Sequence, residues 1–239
     1  MTDHKDDDAT DKPQECGYAS PPCFMHEVDP AYFNLPPAED AVQSRDVRRW
    51  RTAERRRLTQ ARRALSPDLR RRHAARIIAH LQQALGPVAG LTISAYWPIR
   101  GEPNLRPLME KIISRGGRCA LPVVVERHKP LVFRCWSPGE PLSRGVWNIP
   151  VPGEEAAVVT PDVILSPLVG FDGDGYRLGN GGGYYDRTLA ALKPRPRVFG
   201  VGYRLGALPT IYPQWNDVPM DAIVTEDGVH PPSSGDNRP

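Results

Sequence analysis

Six short apolar runs recur along this chain, and helical spacers separate several of them. They are LTISAYW (91–97), RCALPVVV (118–125), LVFRCW (131–136), DVILSPLV (162–169), RVFGVGY (197–203) and DAIVT (221–225). Helical stretches are expected between them at about 104–115 and 184–193. Strands alternating with helices indicate an α/β sheet with substantial parallel character. Sheets of that kind take ligands in the crevice outside the carboxyl ends of their strands. What lies at those ends is therefore where function is sought.

Two helices precede the strands. The first, from Ser44 to Leu65, is poorly amphipathic: Val47, Trp50, Leu58, Ala61 and Leu65 make one narrow apolar stripe among arginines. The second is better signposted. Ser66 suits an N-cap, Pro67 the first turn and Asp68 the helix dipole, and Gly86-Pro87 ends it. Leu69, Ile77, Ile78, Leu81 and Leu85 recur along it at helical spacing.

Residues 1–42 are acidic, Pro-rich and aperiodic, and are expected to be disordered. Residues 43–228 read as a single domain, with a frayed tail at 229–239. Ten acids face only Lys5 and Lys12 in residues 1–40, a net −8, so a formal charge of +3 for the whole chain leaves +11 on the rest. A body that basic favours anionic ligands. No apolar run approaches the roughly 18 residues of a membrane span, and the acidic start resembles neither a secretory signal nor a transit peptide. A cytoplasmic protein without membrane contact is expected. Cys16, Cys23, Cys119 and Cys135 form no CxxC pair and read as free thiols.

The most unusual stretch is RLGNGGGYYDR, Arg177 to Arg187. Glycines at 179, 181, 182 and 183 remove Cβ atoms, so backbone N–H groups can converge on one anion, and a helix starting near Tyr184 adds its dipole. The pattern lacks the Gly-Lys-Ser/Thr ending of a P-loop, and Tyr184 occupies the last glycine position of G-x-G-x-x-G. Spacing alone leaves a phosphate cradle and a glycine-rich turn equally open. The adjacent YYDR favours the cradle: aromatics can wall a ring system, Asp186 can hold Mg²⁺ beside phosphates, and Arg177 or Arg187 can neutralise charge.

Residues 45–76 contain thirteen arginines against Asp46, Glu54 and Asp68, and Arg48, Arg51, Arg55 and Arg62 share one helix face. That face suits a polyanion; a solvated surface and a nucleic-acid contact are the competing readings. No named nucleic-acid motif appears. Glu102 in YWPIRGEPNL, Trp147 in GVWNIPVPGE and Asp217 in QWNDVPMD fall in loops, where spacing alone does not distinguish ligands from turn or packing residues.

Taken together, the segments RRALSPD, YWPIRGEPNL, VWNIPVPGE, VILSPLVGFDGDGYRLGNGGGYYDR and NDVPMDAIVTE, in that order, resemble the 5-formyltetrahydrofolate cyclo-ligase (methenyltetrahydrofolate synthetase) family over about residues 48 to 226. The resemblance implies a three-layer α/β/α fold with a mainly parallel sheet, Rossmann-like but not a dinucleotide-binding fold. It implies an ATP- and Mg²⁺-dependent ligase that converts 5-formyltetrahydrofolate to 5,10-methenyltetrahydrofolate through an N5-iminium phosphate, releasing ADP and phosphate. It implies ATP contacts from Arg51, Arg55, Arg177, Leu178, Gly179, Asn180, Gly181, Gly182, Gly183, Tyr184 and Tyr185, with Arg55 and Tyr185 catalytic. Trp97, Glu102, Trp147, Gly182 and Tyr184 would meet the folate, and Asp186 and Asp217 the metal. The partner is then a small-molecule folate rather than nucleic acid, and a monomer is expected. Asn180 and Gly182 stand where some members carry Arg and Lys, so backbone and helix arginines should hold more of the phosphate charge. Leu105 replaces a common threonine after the Glu102 turn.

Overall fold

The computed structural model describes residues 41–233. The chain divides at Ser44, and the unit from Arg45 onward carries the fold. The acidic extension expected to be disordered, but for its last residues, and positions 234–239 of the tail lie outside the described residues.

In chain order the elements are α1 (Ala41–Ala64), α2 (Pro67–Leu85), β1 (Thr92–Ser94), α3 (Arg106–Ser114), β2 (Arg118–Val123), β3 (Val132–Cys135), β4 (Leu142–Arg144) and β5 (Pro150–Pro152). There follow β6 (Val158–Val159), β7 (Val163–Pro167), β8 (Gly170–Phe171), β9 (Arg177–Leu178), α4 (Tyr184–Ala191), β10 (Arg197–Val201), β11 (Ala222–Thr225) and β12 (Gly228–His230). The main sheet runs β12-β11-β10-β7-β1-β2-β3-β6. Its centre, β11 to β2, is parallel throughout, while β12, β3 and β6 pair antiparallel at the edges. The short connection from β2 to β3 carries no helix, and a parallel return would need a crossover of a dozen or more residues.

Side-chain alternation along the strands makes three layers. Val163, Leu165, Phe199, Val201, Ala222 and Val224 pack with Ile77, Leu81, Leu85 of α2 and Leu108, Met109, Ile112 of α3. The intervening Ile164, Val198 and Ile223 pack with Leu189 of α4. The sheet is thus sandwiched between α2/α3 and α4, as the family resemblance implies. The register pairs Ala120 with Cys135, so Cys119 and Cys135 point to opposite faces of the sheet. Both are free thiols.

Helix α2 forms as its sequence specifies. Ser66 Oγ accepts the Leu69 N–H at 3.2 Å, Pro67 opens the helix, and Gly86, at φ 69°, closes it by donating to the Gln82 carbonyl at 3.3 Å. Helix α1 departs from its expected stripe. Leu58 is buried but Ala61 is exposed, and Arg62 takes a fully buried place. Positions 51, 55, 58 and 62 share the inward face because three arginines find acceptors there, described below. The sheet also continues past the domain end expected at residue 228. Thr225 Oγ1 accepts the Asp227 N–H at 3.2 Å and bonds His230 Nε2 at 2.9 Å, which closes the β11–β12 hairpin.

Sheet order places the site. From β1 the chain moves outward through α3 to β2; from β7 it moves the other way through α4 to β10. The carboxyl ends of β1 and β7 therefore flank a topological switch point, where an open α/β sheet leaves a crevice.

Candidate active site

A cleft of about 390 Å³ opens at that switch point. Its walls come from the loop after β1 (Tyr96, Trp97, Arg100, Glu102), the end of β7 (Pro167), the glycine loop, and the inward face of α1. Of the residues singled out by sequence, Arg51, Arg55, Trp97, Glu102, Trp147, Arg177, Gly179 to Gly183, Tyr184, Tyr185, Asp186 and Asp217 all line it. Leu178 does not: its side chain is buried with Leu58, Val169 and Ile211, and its carbonyl accepts the Val169 N–H at 2.8 Å. Its side chain anchors the glycine loop to the core.

The loop is presented by the β8–β9 hairpin. Asp172 Oδ1 accepts the Tyr176 N–H at 3.0 Å and the Asp174 N–H at 3.2 Å, closing the FDGDGY turn, and Oδ2 accepts the Ile211 N–H at 3.1 Å. Burial raises the Asp172 pKa, while those three backbone donors pull it back down. Beyond the hairpin, Gly181 sits at φ 98°, a conformation unfavourable to any residue with a Cβ. A Cβ at Gly182 would come within 2.7 Å of the Tyr184 ring, so a bare backbone lets that ring lie over the loop. Among the described residues, no hydrogen bond uses the amide N–H groups of Asn180, Gly181 or Gly182. The unpaired first-turn amides of α4 follow at once. Open amides and a helix N-terminus on one wall make an anion site.

Three arginines of α1 enter the cleft region, each held differently. Arg55 Nε donates to the Gly179 carbonyl at 2.8 Å, and no partner occupies its Nη groups among the described residues. Burial and the neighbouring Arg51 lower its pKa, with Asp217 opposing. Arg51 is fully engaged: it pairs with Asp217 and donates to the carbonyls of Ile211 at 3.0 Å and Tyr212 at 2.7 Å. Arg62 is buried against Glu102. The face expected to offer Arg48, Arg51, Arg55 and Arg62 to a polyanion is thus turned to the protein's own cleft, leaving only Arg48 exposed. Replacing Arg51 by methionine should lower unfolding stability by on the order of 2 kcal/mol, since Asp217 and two carbonyls lose their donor. Chemical denaturation checks this.

Aromatic side chains also line the cleft. Trp147 is 61% exposed, stands edge-on to Tyr184 with ring centroids 5.8 Å apart, and adopts φ 57°, followed by Asn148 at φ 60°. Left-handed backbone at two consecutive non-glycine residues costs on the order of 1–3 kcal/mol each and concentrates at ligand clamps. Its exposure excludes the packing role that the loop sequence left open. Trp97 is half-buried, edge-on to Trp136 at 5.7 Å, with the Arg106 guanidinium 5.0 Å from its ring centroid. Below the loop, Arg177 pairs with Asp186 at 3.0 Å and lies 5.3 Å from the Tyr185 ring. Arg187 closes the loop from the helix side, donating to the Gly182 carbonyl at 2.5 Å.

Glu102 is buried, and its Oε2 accepts the Ile99 N–H at 3.0 Å. Burial raises its pKa, while Arg62, the Ile99 amide, the Asn180 side chain and Arg100 pull it back. Asn180, expected among nucleotide contacts, lines the same cleft as Glu102. Asp186 and Asp217 are the carboxylates expected for a metal. Among the described residues no group of three or more His, Cys, Asp or Glu could hold an ion. Two all-oxygen side chains with no third protein ligand still fit Mg²⁺, which commonly takes one or two carboxylates together with substrate phosphates.

The sequence and the fold have counterparts among known proteins. The family model described as the 5-formyltetrahydrofolate cyclo-ligase family matches residues 47–226. The chain belongs to the 5-formyltetrahydrofolate cyclo-ligase family. It is accordingly an enzyme of the ligase class. It is 32% identical over 185 residues to the 5-formyltetrahydrofolate cyclo-ligase of Escherichia coli K12, spanning 72% of this chain and 98% of that one. The Mus musculus cyclo-ligase is 31% identical over 205 residues, spanning 78% and 97%. The solved structure of Aquifex aeolicus 5,10-methenyltetrahydrofolate synthetase superposes with a TM-score of 0.66 at 30% identity, covering 79% of this chain and 96% of that one. Arg62 and Arg100 lie within the segments RRALSPD and YWPIRGEPNL, but sequence reasoning assigned neither of them a contact in the site. The spacing of Arg62 from Arg51 and Arg55 marked its face, but Glu102, its partner, is forty positions away. No helix among the described residues is long and apolar enough to cross a membrane.

Proposed function

We propose that this cleft converts 5-formyltetrahydrofolate to 5,10-methenyltetrahydrofolate at the expense of ATP, through an N5-iminium phosphate, releasing ADP and phosphate. One observation carries the reading: a single cleft is lined by an anion-binding wall of open amides with the Arg55 guanidinium and, as its second lining, by the buried Glu102 carboxylate and the rings of Trp97, Trp147 and Tyr184. The first wall suits a triphosphate. The second suits a flat heterocycle whose ring N–H groups seek an acceptor.

The chemistry needs both. A formamide is a poor electrophile and its oxygen a poor leaving group. The formyl oxygen attacks the γ-phosphorus, the bond to ADP breaks, and ADP leaves with its electrons. N10 then attacks the activated carbon and gives up its proton to solvent, the ring closes, and phosphate departs. Arg55, tethered by Nε to Gly179, keeps its Nη groups for the transferred phosphoryl oxygens, whose charge is spread in the transition state. The amides of the glycine loop and α4 hold the remaining phosphates in line. Mg²⁺, bound by Asp186 and Asp217, would neutralise phosphate charge. The buried Tyr185 hydroxyl has no hydrogen-bond partner among the described residues. Burial raises its pKa, so it stays a neutral donor for an oxygen that gains charge. Glu102 accepts hydrogen bonds from the pterin, and Trp147 and Tyr184 close over it.

Purified protein with ATP, Mg²⁺ and 5-formyltetrahydrofolate should build the absorbance of methenyltetrahydrofolate, and a chelator should stop it. Neither turnover nor folate binding in that mixture would remove the function and leave the fold untouched.

A further inference from the structure

We propose that Arg62 is a positioning residue: from α1 it ties together the loops leaving β1 and β7 and holds the Glu102 carboxylate as the fixed negative acceptor of the folate half of the cleft. The last part rests on the proposed reading of that cleft; the tie itself does not.

The geometry is that of a strut. The Arg62 side chain is 3% exposed and Glu102's 2%. Arg62 Nε donates to the Arg100 carbonyl at 3.1 Å, in the loop after β1, and Nη1 donates to the Leu168 carbonyl at 3.1 Å, just past β7. Its remaining nitrogen, Nη2, faces Glu102 Oε1 at 3.6 Å. One planar guanidinium therefore spans both lips of the switch-point crevice and the carboxylate between them, a task suited to a rigid fork of donors. Glu102 Oε1 and Arg62 Nη2 are both buried and neither makes a hydrogen bond. A carboxylate oxygen so placed keeps acceptor capacity for a ligand.

The groups around Glu102 show why Arg62 is needed. Tyr96, Tyr185 and Tyr203 approach it, and burial raises the pKa of each, that of Tyr203 to about 12, so all remain neutral. Among the described residues the cations that hold its pKa down are Arg62 and Arg100, while the Arg70 guanidinium packs beside the neighbouring Gly101. Arg100 is exposed, and its charge is screened by water. Burial favours a protonated Glu102, and Arg62 is the largest influence against it. Without Arg62 the proton would be bound at higher pH, and the pterin would meet a neutral acid in two rotamers instead of a charged acceptor in one.

The test is infrared spectroscopy of the carboxyl stretches combined with steady-state kinetics. Subtracting the spectrum of Glu102→Gln isolates the Glu102 band. Wild type should show a carboxylate at neutral pH, Arg62→Met a protonated carboxyl, and Arg62→Lys a carboxylate. For Arg62→Met, KM for 5-formyltetrahydrofolate should rise on the order of tenfold or more, the loss expected when a charge-assisted contact fails. Its kcat should move by less than about threefold, and KM should recover as pH rises. Arg62→Lys keeps the charge but loses the fork, so its pH profile should match wild type while KM is raised. A Glu102 band unchanged in Arg62→Met, or a kcat loss with KM and pH profile unmoved, overturns the proposal. Should Arg62→Met not fold, a wild-type KM in Arg62→Lys overturns it equally. Wild type that turns over no folate, with the infrared difference intact, defeats the functional reading and leaves the strut standing.

Discussion

Replacing Arg55 by alanine is expected to abolish turnover, lowering kcat by about a thousandfold or more while the melting temperature stays near that of wild type. Of the two α1 arginines that line the cleft, Arg55 is the one whose Nη groups have no partner among the described residues. A guanidinium that neutralises a transferred phosphoryl group is typically worth on the order of 10³–10⁵ in rate. Its structural contribution is small by comparison: one hydrogen bond to the Gly179 carbonyl from a half-buried side chain, about 1 kcal/mol. Arg55→Lys should recover only part of the rate, because an ammonium cannot hold that carbonyl and a phosphoryl oxygen in the same geometry. Following methenyltetrahydrofolate absorbance beside a thermal melt separates the two effects. Full activity in Arg55→Ala would remove the assigned role.

Asp186→Ala should damage activity and stability together. Its carboxylate pairs with Arg177, whose side chain is 5% exposed, and Oδ1 accepts the Val218 N–H at 3.3 Å. Deleting it leaves a buried guanidinium uncompensated, a cost of roughly 3–5 kcal/mol. Asp186→Asn keeps the size and the acceptor for Val218 but not the charge. It should fold better than the alanine variant yet turn over on the order of a hundredfold slower, with a higher Mg²⁺ requirement. The double change Asp186→Asn with Arg177→Met should regain stability without regaining rate. Urea denaturation and Mg²⁺ titration of turnover give both readouts; an Asn variant with unaltered Mg²⁺ dependence would show that Asp186 serves Arg177 alone.

Much of the molecule is readable before folding is considered. The cap of α2 follows from Ser66, Pro67 and Gly86 because capping is local: donor and acceptor lie within a few residues. The central strands follow from apolar runs such as DVILSPLV, since strands buried on both faces read as continuous hydrophobic segments. The glycine loop announces itself because few other sequences need so bare a backbone. Other features are silent. The two-residue strands β6, β8 and β9 are too short for any periodicity to register. The spacing around Trp147 leaves packing open until its exposure is known. Leu178 belongs to a motif of ligand contacts and yet points into the core, because alternation along β9 turns it away from the cleft. The stripe on α1 misleads because an arginine with buried acceptors can occupy a position that hydrophobicity would assign to alanine or leucine.

By itself the sequence determined the α/β class, the bare glycine-rich loop and the kinds of side chain gathered beside it, for these depend on local propensity, burial and residue chemistry. Only the tertiary structure decided which arginine is anchored and open, which is consumed by Asp217, and which is sealed against Glu102. Those assignments rest on pairings between residues forty to more than one hundred and sixty positions apart. Long-range electrostatics, unlike caps and strands, leaves no periodic trace in a chain, because a buried charge needs a partner in space and is indifferent to where along the sequence that partner lies.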